Sequence, residues 1–349
     1  MASEVTVAVD AGGADLGPAA VAGGAALAAR EHDVRVMLFG AVVGIEPAPG
    51  VELIDAPRSI AKEPDPARAV RAHPDASVVA AVQAVADGRA DALVAGGTTG
   101  AALAAGLFRI KRASGVHRPA LAMPVPAPAH PFLMLDVGAN VEVRPEHLVQ
   151  FAHMGAAYAE LVLGIGRPRI ALLSNGQEAT KGTPGLLAAH EELAAAAAQG
   201  SIAFVGNVEG FAIATGAADV IVTDGFTGNV AIKVMEGASA AMMGAVRDAA
   251  TSSARARLGG LLVRAALRGV RDAVDPERQG GAVLLGLRKL VVVPHGSFGE
   301  RGIAAAIGVA ARGVREDLVG RTHAALQAGG ALRRREAPSA APVSVPDHP

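Results

Sequence analysis

The stretch VTDGFTGNVAIKVMEG, residues 222–237, sets Asp224, Gly225, Thr227, Gly228 and Asn229 between an apolar run and a helical pattern. Glycine lets backbone N–H groups approach a ligand closely, and N–H groups at a helix start can cradle an anion. The same residues also make an ordinary turn, with Thr227 or Asn229 capping the helix. Comparable sets recur. GGTTGAAL offers Gly97 and Gly100 for backbone access, with Thr98 and Thr99 as hydroxyl donors or caps. SNGQEATKG places Ser174, Asn175 and Thr180 beside Lys181, a point charge suited to phosphate or to plain solvation. DAGGADLGP brings Asp10, Gly12 and Gly13, and DVGANVEVRPEHL brings Asp136 and Asn140 ahead of Pro145. GNVEG adds Asn207, and VVVPHGSFGERG sets His295 and Ser297 just beyond an apolar run. A Ser/His nucleophilic pair is conceivable there, but adjacency in sequence is no evidence of triad geometry, and His295 reads better as a substrate donor or as a residue supporting one.

Familiar signatures fail. GIGRPR lacks the third glycine of a dinucleotide fingerprint and precedes a strand, no Walker A pattern occurs, and HEELA lacks a second histidine. The absence of cysteine excludes thiol nucleophiles, thiolate metal sites and disulfides. With 32 Lys+Arg against 33 Asp+Glu, nothing global favours nucleic acid as a partner. The start of the chain lacks the basic and apolar pattern of a signal peptide, which predicts a cytoplasmic protein.

These turns follow short apolar runs at 5–9, 92–94, 133–135, 170–173, 202–205, 220–222 and 290–293, and Ala-rich helical patterns come after them. Such alternation predicts a parallel sheet with crossover helices, its ligand bound beyond the carboxyl ends of the strands. All the Gly-rich turns should then line one edge. Residues 1–332 are expected to form a single domain with a soft subdivision near 163–169, and 333–349 a disordered tail. A helical arm is expected over about 240–275. Within it Arg257, Arg264, Arg268 and Arg271 gather beside a stripe of Leu258, Leu261, Leu262 and Ala265. That element could form a dimer or dock on anionic lipid or an acidic carrier, and Gly259, Gly260 and Gly269 leave a hairpin as open as a single helix.

In this order the turns closely resemble the PlsX-type phosphate acyltransferases of bacterial phospholipid synthesis. DVGANVEVRPEHLVQFAHMG, ATKG, GNVEG, ADVIVTDGFTGNVAIKVMEG, GGAVLLGL and HGS carry the match from Val5 to about Arg312. The resemblance implies a Rossmann-like α/β/α sandwich, a homodimer, and transfer of a long-chain acyl group from acyl carrier protein to inorganic phosphate. It implies no metal and no cofactor, and a product passed to a membrane glycerol-3-phosphate acyltransferase, which would bring the protein to the inner face of the membrane. The chain departs from the family at Ala11, at residues 73–77, where a Lys-Lys pair and two serines are usual, and at Thr98, where Asn is usual.

On that basis Lys181 and the turns 96–100 and 225–228 are expected to hold phosphate, with Asn229 or His295 donating to the oxyanion. Asp10 and Asp224 would orient these donors, and Lys233 would support the helix. Two other functions stay open: a short-chain phosphate acyltransferase using coenzyme A thioesters, and a non-catalytic scaffold for carrier or membrane.

Overall fold

The computed structural model describes residues 4–97, 99–127 and 130–333, without the side chains of Leu267, Val270, Arg271 and Asp272. The expectations for Thr98, for the Arg271 side chain and for the tail from residue 334 onward lie outside the described residues. Arg333 itself donates its N–H to the Gly115 carbonyl, so the packed chain extends through it.

Strands β1 (Val5–Asp10), β2 (Val34–Gly40), β3 (Val51–Asp55), β4 (Ala92–Ala95), β5 (Ala120–Val125) and β6 (Phe132–Leu135) come first. They are followed by β7 (Arg169–Ser174), β8 (Ala203–Glu209), β9 (Val220–Val222), β10 (Ala282–Leu285) and β11 (Leu290–Val293). Together they form one sheet of 11 strands in the order β3-β2-β1-β4-β11-β10-β5-β6-β9-β7-β8. Most pairings are parallel, as the alternating pattern predicts, and the sheet runs unbroken past residues 163–169.

Both faces are covered. Alternate residues of β1 separate accordingly, Val5, Val7 and Val9 into one buried layer and Ala8 into the other. Helices α1 (Gly17–His32), α5 (Pro145–Leu161), α6 (Pro184–Ala198), α9 (Glu300–Arg315) and α10 (Leu318–Ala328) fill the first layer. The second takes α2 (Pro66–Ala72), α3 (Ser77–Ala86), α4 (Thr99–Ala105) and the start of α7 (Gly225–Thr251). A strand buried on both faces needs an apolar residue at nearly every position, and β4, ALVA, meets that condition.

Three antiparallel contacts change the picture at the sheet centre. β10 opposes both β11 and β5, and β5 opposes β6. Strands β6 to β9 consequently run against β1 to β4. Their carboxyl ends open at opposite ends of the sheet, so the Gly-rich turns do not share one edge. GNVEG also departs from expectation: residues 206–209 continue β8, where Gly206 (φ +95°) takes up a register shift beside β7.

The predicted arm is a helical hairpin of α7 and α8 (Ala254–Ala273). Its break falls at Ser252 and Ser253, where the Ser253 hydroxyl accepts the Ala256 N–H, and not at the glycines. Gly259, Gly260 and Gly269 lie inside α8, and Gly260 brings it against Ala250 of α7. No helix among the described residues is long and apolar enough to cross a membrane.

Candidate active site

The turns after β1, β4 and β11 converge. Asp15 N–H donates to Gly296 O at 2.9 Å, and Gly97, with φ +79°, sits so close to Gly13 O and to Gly296 that no side chain fits there. Facing this junction is one stripe of α7, Asn229, Ile232, Lys233 and Glu236, at the three- and four-residue spacing that keeps side chains on one helix face. Helix α7 starts at the far end of the sheet, after β9, and carries these residues back across it. Between junction and helix lies a cleft of about 550 Å³. Its floor is apolar, with Leu121, Met123, Val137, Ala282 and Val293, while Asp15, Gly97, Thr99, His295 and Ser297 supply a polar rim.

Asn229 keeps most of its hydrogen-bonding capacity, since its Nδ2 makes one long bond, 3.3 Å, to Val137 O. His295 accepts the Ser297 N–H at Nδ1 (3.3 Å), with the Ser297 hydroxyl 2.8 Å from the same atom. An N–H donating to Nδ1 requires that nitrogen to be bare, which puts the ring proton on Nε2. The Ser297 hydroxyl then donates to the same bare nitrogen, which fixes the imidazole and leaves Nε2–H as its remaining donor. Asp10 lies behind the first turn, 1% exposed, accepting from Gly12 N–H at 2.9 Å and bonded to Ser77. Burial, opposed by those two hydrogen bonds, pushes its carboxyl up to about 6. Ser77 thus keeps a role in the segment 73–77, while Asp75 pairs with Arg58 at 2.8 Å.

Other predicted residues are placed elsewhere. Ser174, Asn175, Gly182, Thr183, Asp224 and Thr227 line a second depression, of about 500 Å³, at the carboxyl ends of β7 and β9. Lys181 is exposed near this depression and does not line the cleft, so the prediction that it shares a phosphate with residues 96–100 is not met by the geometry. The strand reversal at β10, β5 and β6 separates them. Asp224 caps α7 by accepting Thr227 N–H (2.8 Å) and Oγ1–H (2.7 Å), and Gly225 and Gly228 are required by the close passage of the 136–140 turn. Asn140, predicted to bind substrate, spends both amide hydrogens on Asp136 and Pro119 O. Asn207 braces the 174–183 loop through Glu178 O and His190. Gly100 abuts Pro66 of α2.

The buried Asp136 organises that second region. It accepts from the N–H groups of Leu121, Gly138, Ala139 and Asn140 and from the Asn140 amide, yet burial still holds its carboxyl above the usual range. Sequence reasoning placed Asp136 on a turn without a role. It also treated Lys233 as helix support, although its spacing of four from Asn229 puts both on one face.

Among the described residues, His117, Glu146 and His147 bring potential metal-ligating atoms within 4.8 Å of one another, away from the cleft. Part of their capacity is used: His147 Nδ1 accepts Arg144 N–H, and one Glu146 oxygen pairs with the Arg144 guanidinium at 3.0 Å.

Comparison with known proteins agrees with this architecture. A family model described as fatty acid synthesis protein matches residues 5–321. A phosphate acyltransferase from Heliobacterium modesticaldum is 42% identical over 322 residues, covering 90% of this chain and 95% of its own length. Another, from Latilactobacillus sakei, is 45% identical over 303 residues, covering 84% and 89%. The chain belongs to this family, the PlsX-type phosphate acyltransferases. It is therefore an enzyme, and its chemistry is acyl transfer involving phosphate. Among solved structures, a phosphotransacetylase from Streptococcus pyogenes superposes with a TM-score of 0.59 at 17% identity, covering 90% of this chain and 95% of that one. A branched-chain phosphotransacylase from Enterococcus faecalis gives 0.55 at 17%, covering 89% and 99%. At that identity the likeness bears on the fold.

Proposed function

We propose that this phosphate acyltransferase takes a long-chain fatty acyl group from acyl carrier protein and delivers it to inorganic phosphate in the cleft beneath α7. The observation that carries this reading is an apolar floor running up to a rim of unspent polar groups. The chain would lie on Leu121, Met123, Val137 and Ile232, with the thioester carbonyl at Asn229 and His295. A phosphate oxygen attacks the carbonyl carbon, the C–S electrons leave on sulfur, and the proton of hydrogen phosphate ends on the thiol. Asn229 Nδ2 and His295 Nε2–H donate to the oxyanion of the intermediate.

Phosphate is already an anionic nucleophile, so the site needs to position and stabilise charge more than to remove a proton. No cofactor enters this scheme. Acyl phosphate would then serve a membrane glycerol-3-phosphate acyltransferase in phospholipid synthesis.

The α7–α8 hairpin fits the remaining partners. Leu258, Leu261 and Leu262 are exposed, as are Arg257, Arg264 and Arg268, which suits a homodimer contact together with an acidic carrier or anionic lipid. Release of free carrier from palmitoyl-carrier, with and without phosphate, tests the function. Phosphate-dependent release is expected; exclusive use of acetyl- or butyryl-coenzyme A would replace this reading.

A further inference from the structure

Resting on that reading, we infer that Lys233 is the group that binds the phosphate nucleophile and that Glu236 holds the site closed to other anions until phosphate displaces it. Among the described residues lining the cleft, Lys233 is the one lysine or arginine, beside two carboxylates, Asp15 and Glu236. A dianion entering such a rim meets net repulsion unless the ammonium turns toward it. Asn229 and Lys233 are four residues apart on α7, so the oxyanion donor and the cation lie one helical turn from each other. The reacting phosphate oxygen and the carbonyl oxygen need that kind of adjacency.

Lys233 Nζ is 2.8 Å from Glu236 Oε2, and the two side chains are 52% and 41% exposed. Pairs so exposed hold weakly, because water and side-chain entropy offset most of the attraction. A phosphate dianion offers the ammonium twice the charge and several acceptor oxygens. The exchange is therefore favourable for phosphate, and less so for a monoanion such as chloride or acetate. The second cation near a Gly-rich turn, Lys181, has no place on this rim.

The test separates the Michaelis constants of the two substrates in the full-length protein. Lys233→Met should raise KM for phosphate by about 30-fold or more while KM for palmitoyl-carrier stays within about twofold, since loss of one charge-assisted contact acts on the nucleophile alone. Lys233→Arg should recover most of that loss, and Glu236→Gln should lower KM for phosphate about threefold by removing the competing carboxylate. An unchanged phosphate KM in Lys233→Met, with wild-type turnover intact, overturns the assignment and leaves the function standing. Absence of phosphate-dependent release in the wild type would instead overturn the function. Equal rises in both constants would mark Lys233 as structural.

Discussion

The turn formed by residues 136–140 and the cleft around Thr99, Asn229 and His295 both gather polar side chains, and they differ in how their hydrogen bonds are spent. In the turn, the Asp136 carboxylate and the Asn140 amide are saturated by backbone and by each other. On the rim, Thr99 makes no side-chain hydrogen bond among the described residues, Asn229 makes one long one, and the His295 Nε2–H is unspent. Polar residues that have used their bonds internally hold the fold together. Those with capacity left over are available to a substrate.

That contrast can be broken most forcefully at Asp136. Removing its carboxylate strands the buried N–H groups of Leu121 and Asn140 and the buried Asn140 amide, each worth about 1–3 kcal/mol when unmet, so Asp136→Ala should lose at least about 3 kcal/mol in urea denaturation or fail to fold. Thr99→Ala, by comparison, should stay within about 0.5 kcal/mol of wild type. Similar losses in both variants would erase the distinction.

Asp10 sharpens it through pH. Its carboxyl is raised from 3.8 to about 6, so the folded state binds the proton more tightly than the unfolded state. The associated stability is complete below the unfolded value and is lost as pH rises through about 6. An Asn at this position imitates the neutral form. The stability of Asp10→Asn relative to wild type should therefore grow between pH 4 and 7 by about 2 kcal/mol, read from denaturation at each pH. A flat difference would mean that Asp10 is charged at no cost.

Much of this was legible in sequence. Each apolar run predicted a strand where one forms, in the sheet interior because strands buried on both faces, such as β4, must be apolar throughout, and the Gly-rich turns mark the places where backbones meet. Strand direction was not legible. A four-residue run such as FLML at β6 has the same pattern whichever way it runs, and the antiparallel contacts of β10, β5 and β6 decide which turns come together. Lys181 and Gly97 were grouped for that reason and lie apart. The stripe from Asn229 to Glu236 was visible as helical spacing, but only its position opposite the β11 turn distinguishes Lys233 from an ordinary surface lysine. The saturation of Asn140 depends on Pro119 O, 21 residues away, and has no local signal.

The smallest expected effect falls at Lys181. As a side chain outside the cleft, its replacement in Lys181→Ala should change KM for phosphate by less than about threefold, the scale of an exposed charge. A tenfold change would bring the second depression into the reaction.

The most direct measurement compares wild type with Asn229→Ala in phosphate-dependent release of carrier from palmitoyl-carrier, alongside unfolding midpoints. Transfer in the cleft predicts a fall in kcat/KM of about 10²- to 10³-fold with the midpoint unchanged, the usual cost of one oxyanion donor. A wild-type rate in that variant would contradict it and move the chemistry out from beneath α7.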